Sequence, residues 1–143
     1  MPYHPMSRDE ERAFLSSPPR PGVLATAGPG GRPHAAPVWF DVDGDTIVFN
    51  TGASTVKGRN LATNPRATLV VQDDRPPFAF VMIEGTVELI SDLDEVRTWA
   101  TRLGGRYMGQ DKADAYGARN GVRGELLVRL TPTKSVSARD LAD

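Results

Sequence analysis

Cysteine is absent from this chain of 143 residues, and histidine occurs only twice. Without cysteine there is no disulfide, no thiolate metal site and no cysteine nucleophile. His4 and His34 are too few for a histidine-rich centre, so no metal is expected. No apolar run approaches the roughly 20 residues that span a bilayer. The opening Met1-Pro2-Tyr3-His4-Pro5 has neither the basic nor the apolar part of a secretory signal. Net charge is nearly missing too: 17 basic against 18 acidic residues leave -1, where a dedicated nucleic-acid binder carries a basic excess. The expectation is a cytoplasmic protein with neither membrane nor nucleic acid as partner. The length suits one domain, 1–143. A hydrophobic fraction of 39% gives a modest core, which a second copy of the chain could help to complete.

Lysine is also scarce, limited to Lys57, Lys112 and Lys134, and Lys57 stands in the most informative stretch. The strand-like Thr46-Ile47-Val48-Phe49 runs through Asn50-Thr51-Gly52-Ala53 into a helix that the pattern starts at Ser54, a good N-cap residue. Lys57, Arg59 and Asn60 fall in its first turns. A helix N-terminus carries unpaired N–H groups and partial positive charge, so cations are unfavourable there unless an anion lies between them. A mismatch between local rule and sequence marks a candidate site. The reading is an anion-binding, phosphate-sized strand-to-helix turn; solvated side chains are the alternative.

Residues 1–6 are expected to be disordered. Ser7-Arg8-Asp9-Glu10 is a capping box opening a helix to about Leu15. Strands are expected over 22–26, 34–42, 46–51, 66–72, 78–90 and 125–130, the last continuing through 134–137. Gly85 marks a bend or bulge. The 34–42 strand places Val38 and Phe40 on one face and Trp39 on the other. Asp43-Gly44 is a hairpin turn. Asp92 caps a helix with Leu93, Val96, Trp99, Ala100 and Leu103 at helical spacing. Gly104-Gly105 ends or interrupts it, and a second helical piece covers about 110–119. Six short strands, one crossover helix and a helical excursion before the last strand suggest a small closed or split barrel.

Four motifs then carry a resemblance: Gly22-Val23-Leu24-Ala25-Thr26; Gly31-Arg32-Pro33-His34 with Val38-Trp39-Phe40-Asp41; Lys57-Gly58-Arg59-Asn60-Leu61 with Asn64-Pro65-Arg66-Ala67; and Ile83-Glu84-Gly85-Thr86-Val87. With the element order, they resemble the pyridoxamine 5'-phosphate oxidase-like split-barrel flavin and deazaflavin oxidoreductases over about residues 8–138. The chain looks most like the short members that use the deazaflavin coenzyme F-420. It lacks the extra length and arginine-rich segments of true pyridoxamine phosphate oxidases. The resemblance implies a mainly-β fold with peripheral helices, a six-stranded antiparallel split β-barrel (the FMN-binding split barrel). It also implies a homodimer with two cofactor clefts at its interface.

In such proteins the turn with Lys57, Arg59 and Asn60 grips the cofactor phosphate, and Asn50, Thr51 and Ser54 stand at the strand end beside it. Pro37-Val38-Trp39 lies against the tricyclic ring, and Phe78-Ala79-Phe80 approaches from the partner subunit. The implied activity is hydride transfer from reduced F-420 to a conjugated small molecule. The alternatives are FMN as cofactor, or a non-catalytic flavin-binding protein. His34 and Tyr107 are the candidate proton donors beside solvent, each with a structural alternative. Arg59 and Arg66, with Arg32 or Arg106, could meet the deazaflavin's acidic tail.

Overall fold

Seven short strands form one antiparallel sheet in the order β2-β1-β5-β6-β7-β4-β3 in the computed structural model, which describes residues 4–143. The strands are β1 (Gly22–Ala27), β2 (Pro33–Val38), β3 (Asp41–Asp43), β4 (Thr46–Gly52), β5 (Arg66–Asp73), β6 (Ala79–Ile90) and β7 (Glu125–Ala138); the helices are α1 (Arg8–Ser16), α2 (Val56–Thr63), α3 (Leu93–Met108) and α4 (Ala113–Asn120). The two edge strands, β2 and β3, are consecutive in sequence. The expected single strand 34–42 is therefore two strands, and the expected six become seven. The cause is at Phe40. Its N–H is bonded by the Tyr107 hydroxyl at 3.2 Å instead of a ladder. The chain leaves β1, to which β2 is paired, and joins β4 through β3. Two prolines, Pro33 and Pro37, sit on the edge strand β2, where a missing N–H is tolerated.

Strand alternation builds the core. Leu24, Ala67, Leu69, Val71, Val81 and Ile83 point inward from β1, β5 and β6, and meet Phe40, Phe49, Leu61 and Leu130 in one cluster. In β4 and β7 the alternation breaks down: Ile47, Val48 and Phe49, and likewise Leu127 and Val128, are all buried. The sheet is covered on both faces there, because Val96 and Trp99 of α3 pack on Val48 and Leu127 from outside. Gly85 lies at a register shift between β6 and β7. A Cβ at Gly85 would stand 2.2 Å from the Thr131 carbonyl oxygen, so the bulge needs glycine.

Ser7 and Glu10 form the capping box as expected. The Glu10 carboxyl is held below its ordinary range, first by the Ser7 backbone N–H, with Arg139 and the Ser7 hydroxyl assisting. Two other expectations are corrected. His4 pairs with Arg139, and the Met6 N–H donates to Ser137 Oγ at 3.3 Å, so residues 4–6 are ordered against β7; residues 1–3 lie outside the described part. Gly104-Gly105 runs inside α3 and does not end it. A Cβ at Gly104 would meet Tyr116 Cβ at 2.4 Å, so Gly104 admits α4 closely, and a Cβ at Gly105 would meet the Gln110 amide at 2.7 Å; the helix stops at Gly109, with φ 108. Strand β7 continues through Pro132 as expected, and Pro132 pairs opposite Gly85 at the bulge.

Candidate functional site

Between β4 and α2 the chain makes one tight turn. Thr55 is the N-cap residue, one place later than expected, and its hydroxyl accepts from the Gly58 N–H at 3.1 Å. That hydroxyl also donates to the Gly52 carbonyl at 2.7 Å and lies 3.2 Å from the Thr51 hydroxyl. Ser54 is exposed and caps nothing. A Cβ at Gly58 would stand 2.2 Å from the Gly52 oxygen, so glycine there lets the turn fold back on the helix. The N–H groups of Ser54, Val56 and Lys57 have no acceptor among the described residues. No acidic residue occupies the first turn of α2, Lys57 is half-buried and Arg59 is exposed. Free N–H groups, a helix N-terminus and two cations form a donor set that fits a phosphate. One carboxylate is near: the Glu125 oxygens lie 3.7 and 3.9 Å from where a Cβ at Gly52 would be.

Other expected site residues divide into separate places. Asn50 is half-buried and its amide donates to the Leu126 carbonyl at 3.4 Å. Thr51 is buried. Asn60 is buried too, and its amide donates to the Thr26 hydroxyl at 3.1 Å, which ties α2 to β1. Thr26 pairs with His34 across the β1–β2 ladder. His34 is half-buried, and its Nδ1 is buried without a hydrogen-bond partner among the described residues. Pro37 is exposed, while the Val38 side chain fills the core, so only the Val38 backbone can face a ligand.

Trp39 is half-buried. Its ring stacks on Tyr107 with centroids 5.1 Å apart and planes 4° apart, and meets the edge of Tyr116 at 5.7 Å. The Tyr107 hydroxyl donates to the Arg20 carbonyl at 2.7 Å and accepts from Phe40, so its proton is already committed. The adjacent Arg106 donates to the carbonyls of Leu15 and Ser16 and lies 3.6 Å from Asp41. Its guanidinium caps α1 and is not available to a tail.

Phe78, Ala79 and Phe80 stand at the far end of β6 from the turn. Phe80 pairs with Ala138, whereas Ile90 pairs with Leu127 near the Gly52–Glu125 pair. Ten residue steps along a strand cover roughly 33 Å, so within one chain these aromatics and the turn are apart. Phe78, with φ 68, and Phe80 line a cavity of about 290 Å³ together with Val70, Asp73 and Leu141. Asp73 on its rim has a carboxyl held below its ordinary range, first by the Arg75 side chain. A larger concavity of about 780 Å³ lies over Ala25, Arg66, Thr68, Glu84 and Lys134. Neither is lined by Lys57 or Arg59.

Sequence reasoning missed the cap at Thr55, the Tyr116 edge contact and the double use of the Tyr107 hydroxyl. Thr55 had a signal, since Ser54 and Thr55 are both cap residues and Thr55 is three before Gly58. The aromatic cluster had none, because it is assembled from three separated segments.

The model of the family described as pyridoxamine 5'-phosphate oxidase matches residues 7–135. A pyridoxine/pyridoxamine 5'-phosphate oxidase of Microcystis aeruginosa is 38% identical over 102 residues, covering 66% of this chain and 47% of that protein. One of Burkholderia lata is 36% identical over 112 residues, covering 73% of this chain and 50% of its own. The chain thus spans about half the length of these curated relatives. Among solved structures, a conserved hypothetical protein of Mycobacterium tuberculosis, Rv2991, superposes with a TM-score of 0.81 at 27% identity, covering 96% of this chain and 89% of that one. A structure described as an F420 reductase superposes with a TM-score of 0.67 at 28% identity, covering 85% and 92%. With nearly its whole length matched by the model, the chain belongs to the pyridoxamine 5'-phosphate oxidase family.

Proposed function

We propose that this protein is an oxidoreductase that uses the deazaflavin coenzyme F-420 and works as a homodimer on a conjugated small-molecule acceptor. The observation that carries the reading is the β4–α2 turn, with its free N–H groups at Ser54, Val56 and Lys57 and its cations Lys57 and Arg59. Flavin mononucleotide carries the same ring, ribityl chain and phosphate and is the second reading. The similarity to an F420 reductase at 28% identity favours the deazaflavin. So do Arg32, Arg59 and Arg66, all exposed and able to meet an acidic tail.

When bound, the reduced deazaflavin supplies hydride to the acceptor. The chain's own residues bind, orient and shield. Lys57 and the turn N–H groups would hold the phosphate, and Pro37-Val38-Trp39, at the end of the edge strand β2, would lie against the ring. His34, with its buried and unpartnered Nδ1, is the candidate proton-carrying side chain on β2. The Tyr107 hydroxyl keeps its proton on Arg20.

Dimerisation is supported by one row of side chains. Val23, Val70, Met82 and Val136 are successive cross-strand partners on β1, β5, β6 and β7, on the face away from the core. Val23 is 46% exposed and Val136 38%. The row Ala25, Thr68, Glu84 and Lys134, polar from Thr68 onward, borders it. A second copy on this face would bury an area on the order of 2,000 Å². It would also supply the aromatics that cannot reach the turn within one chain.

The functional test is turnover. Reduced F-420 and a quinone acceptor, mixed with catalytic amounts of the protein, should give protein-dependent oxidation of the deazaflavin followed by its absorbance. Turnover with reduced flavin mononucleotide alone would move the function to the second reading. Binding without turnover across an acceptor panel would leave a flavin carrier.

A further inference from the structure

We infer that Tyr107 is a positioning residue: it sets the pose of Trp39 and of the β2–β3 crossing, and through them the surface offered to a flat cofactor ring. The inference rests on the proposed cofactor site and deepens it.

Trp39 and Phe40 lie between β2 and β3, outside both ladders. A segment without ladder bonds needs other partners for its buried N–H and C=O groups. Tyr107 supplies one for the Phe40 N–H. Its hydroxyl oxygen is 3.2 Å from the Phe40 nitrogen, 3.1 Å from the Phe40 carbonyl oxygen and 2.7 Å from the Arg20 carbonyl oxygen. One side chain thus fastens the crossing to the loop before β1. Its ring then lies parallel to Trp39 at 5.1 Å. Tyr116 of α4 closes on Trp39 from the edge at 5.7 Å. Trp39 is held on one face and one edge by the helical excursion, while it adjoins Pro37 and Val38 on the strand edge assigned to the ring.

The last turn of α3 is itself tied to α1. Arg106 is bonded to the end of α1 through Leu15 and Ser16, and Gly109 ends the helix at φ 108. The Tyr107 hydroxyl therefore works from a fixed point, which a positioning role requires.

The test compares wild type with Tyr107→Phe, Tyr107→Leu and a destabilising control, Val96→Ala, on the same helix but buried against Val48 and Leu127. Two readouts are taken: near-ultraviolet circular dichroism without cofactor, with Trp39→Phe identifying the Trp39 band, and titration with F-420 and with flavin mononucleotide. Tyr107→Phe keeps the stack and loses the clamp, and affinity should fall about three- to tenfold. Tyr107→Leu should abolish the Trp39 band and weaken binding by more than about tenfold. Val96→Ala should melt earlier yet keep the band and bind within about twofold. An unchanged Trp39 band in Tyr107→Leu would overturn the inference, and so would affinity losses that follow melting temperature across all variants. Failure of the wild type to bind either cofactor would strike the proposed function instead, and the band, read without cofactor, would still decide whether Tyr107 poses Trp39.

Discussion

Replacing Lys57 by alanine should move two quantities in opposite directions. Lys57 is the second residue of α2, where the helix end is partially positive and no acidic neighbour occupies the first turn. In the protein without cofactor, its charge costs about 0.3–1 kcal/mol against the helix dipole. At about 2–4 °C per kcal/mol for a domain of this size, Lys57→Ala should raise the melting temperature by roughly 0.6–4 °C. With cofactor present, the same ammonium makes a charge-assisted bond to phosphate worth about 1.5–3 kcal/mol. Losing it should weaken binding roughly 10- to 150-fold. Scanning calorimetry of the unliganded variant and a fluorescence titration read the two effects. An unchanged dissociation constant would refute the phosphate assignment. So would weaker binding accompanied by an equal loss of stability, since that would place Lys57 in the fold. Arg59, being exposed, should show the same signs at smaller size.

Three further outcomes are expected. Gly58→Ala puts a methyl 2.2 Å from the Gly52 oxygen, so it should cost about 1–3 kcal/mol in urea unfolding and weaken binding beyond Lys57→Ala. Met82→Arg places a charge in the row shared with Val70 and Val136; light scattering should report a monomer, and cofactor affinity should fall with it. The Glu10 carboxyl titrates below its ordinary range. Its share of stability is therefore present above the unfolded-state value and lost as pH falls through the folded one. Glu10→Gln, which keeps an acceptor for the Ser7 N–H, should be less stable than wild type at neutral pH, and the difference should vanish in acid.

Local chemistry was legible where it acts over a few residues. The capping box at Ser7, the cap at Asp92 and the Asp43-Gly44 turn follow from residues acting on their immediate neighbours. Long-range contacts were not legible. A strand pattern continues from His34 to Val42, and only Tyr107, 67 residues beyond Phe40, breaks it by taking the Phe40 N–H. Gly104-Gly105 looks like a helix stop until Tyr116 of α4 is placed against it. At the candidate site, Lys57 and Arg59 were readable because they violate a local rule. The role of Asn60 was not, since its partner Thr26 lies 34 residues away on β1.

The most direct measurement is competitive titration of the purified protein with F-420 and flavin mononucleotide at low and high salt. The account predicts saturable binding of both, tighter for the deazaflavin. That preference should shrink as salt screens the exposed Arg32, Arg59 and Arg66 while ring binding persists. Tighter binding of flavin mononucleotide would contradict the deazaflavin assignment, and saturable binding of neither would contradict the cofactor site itself.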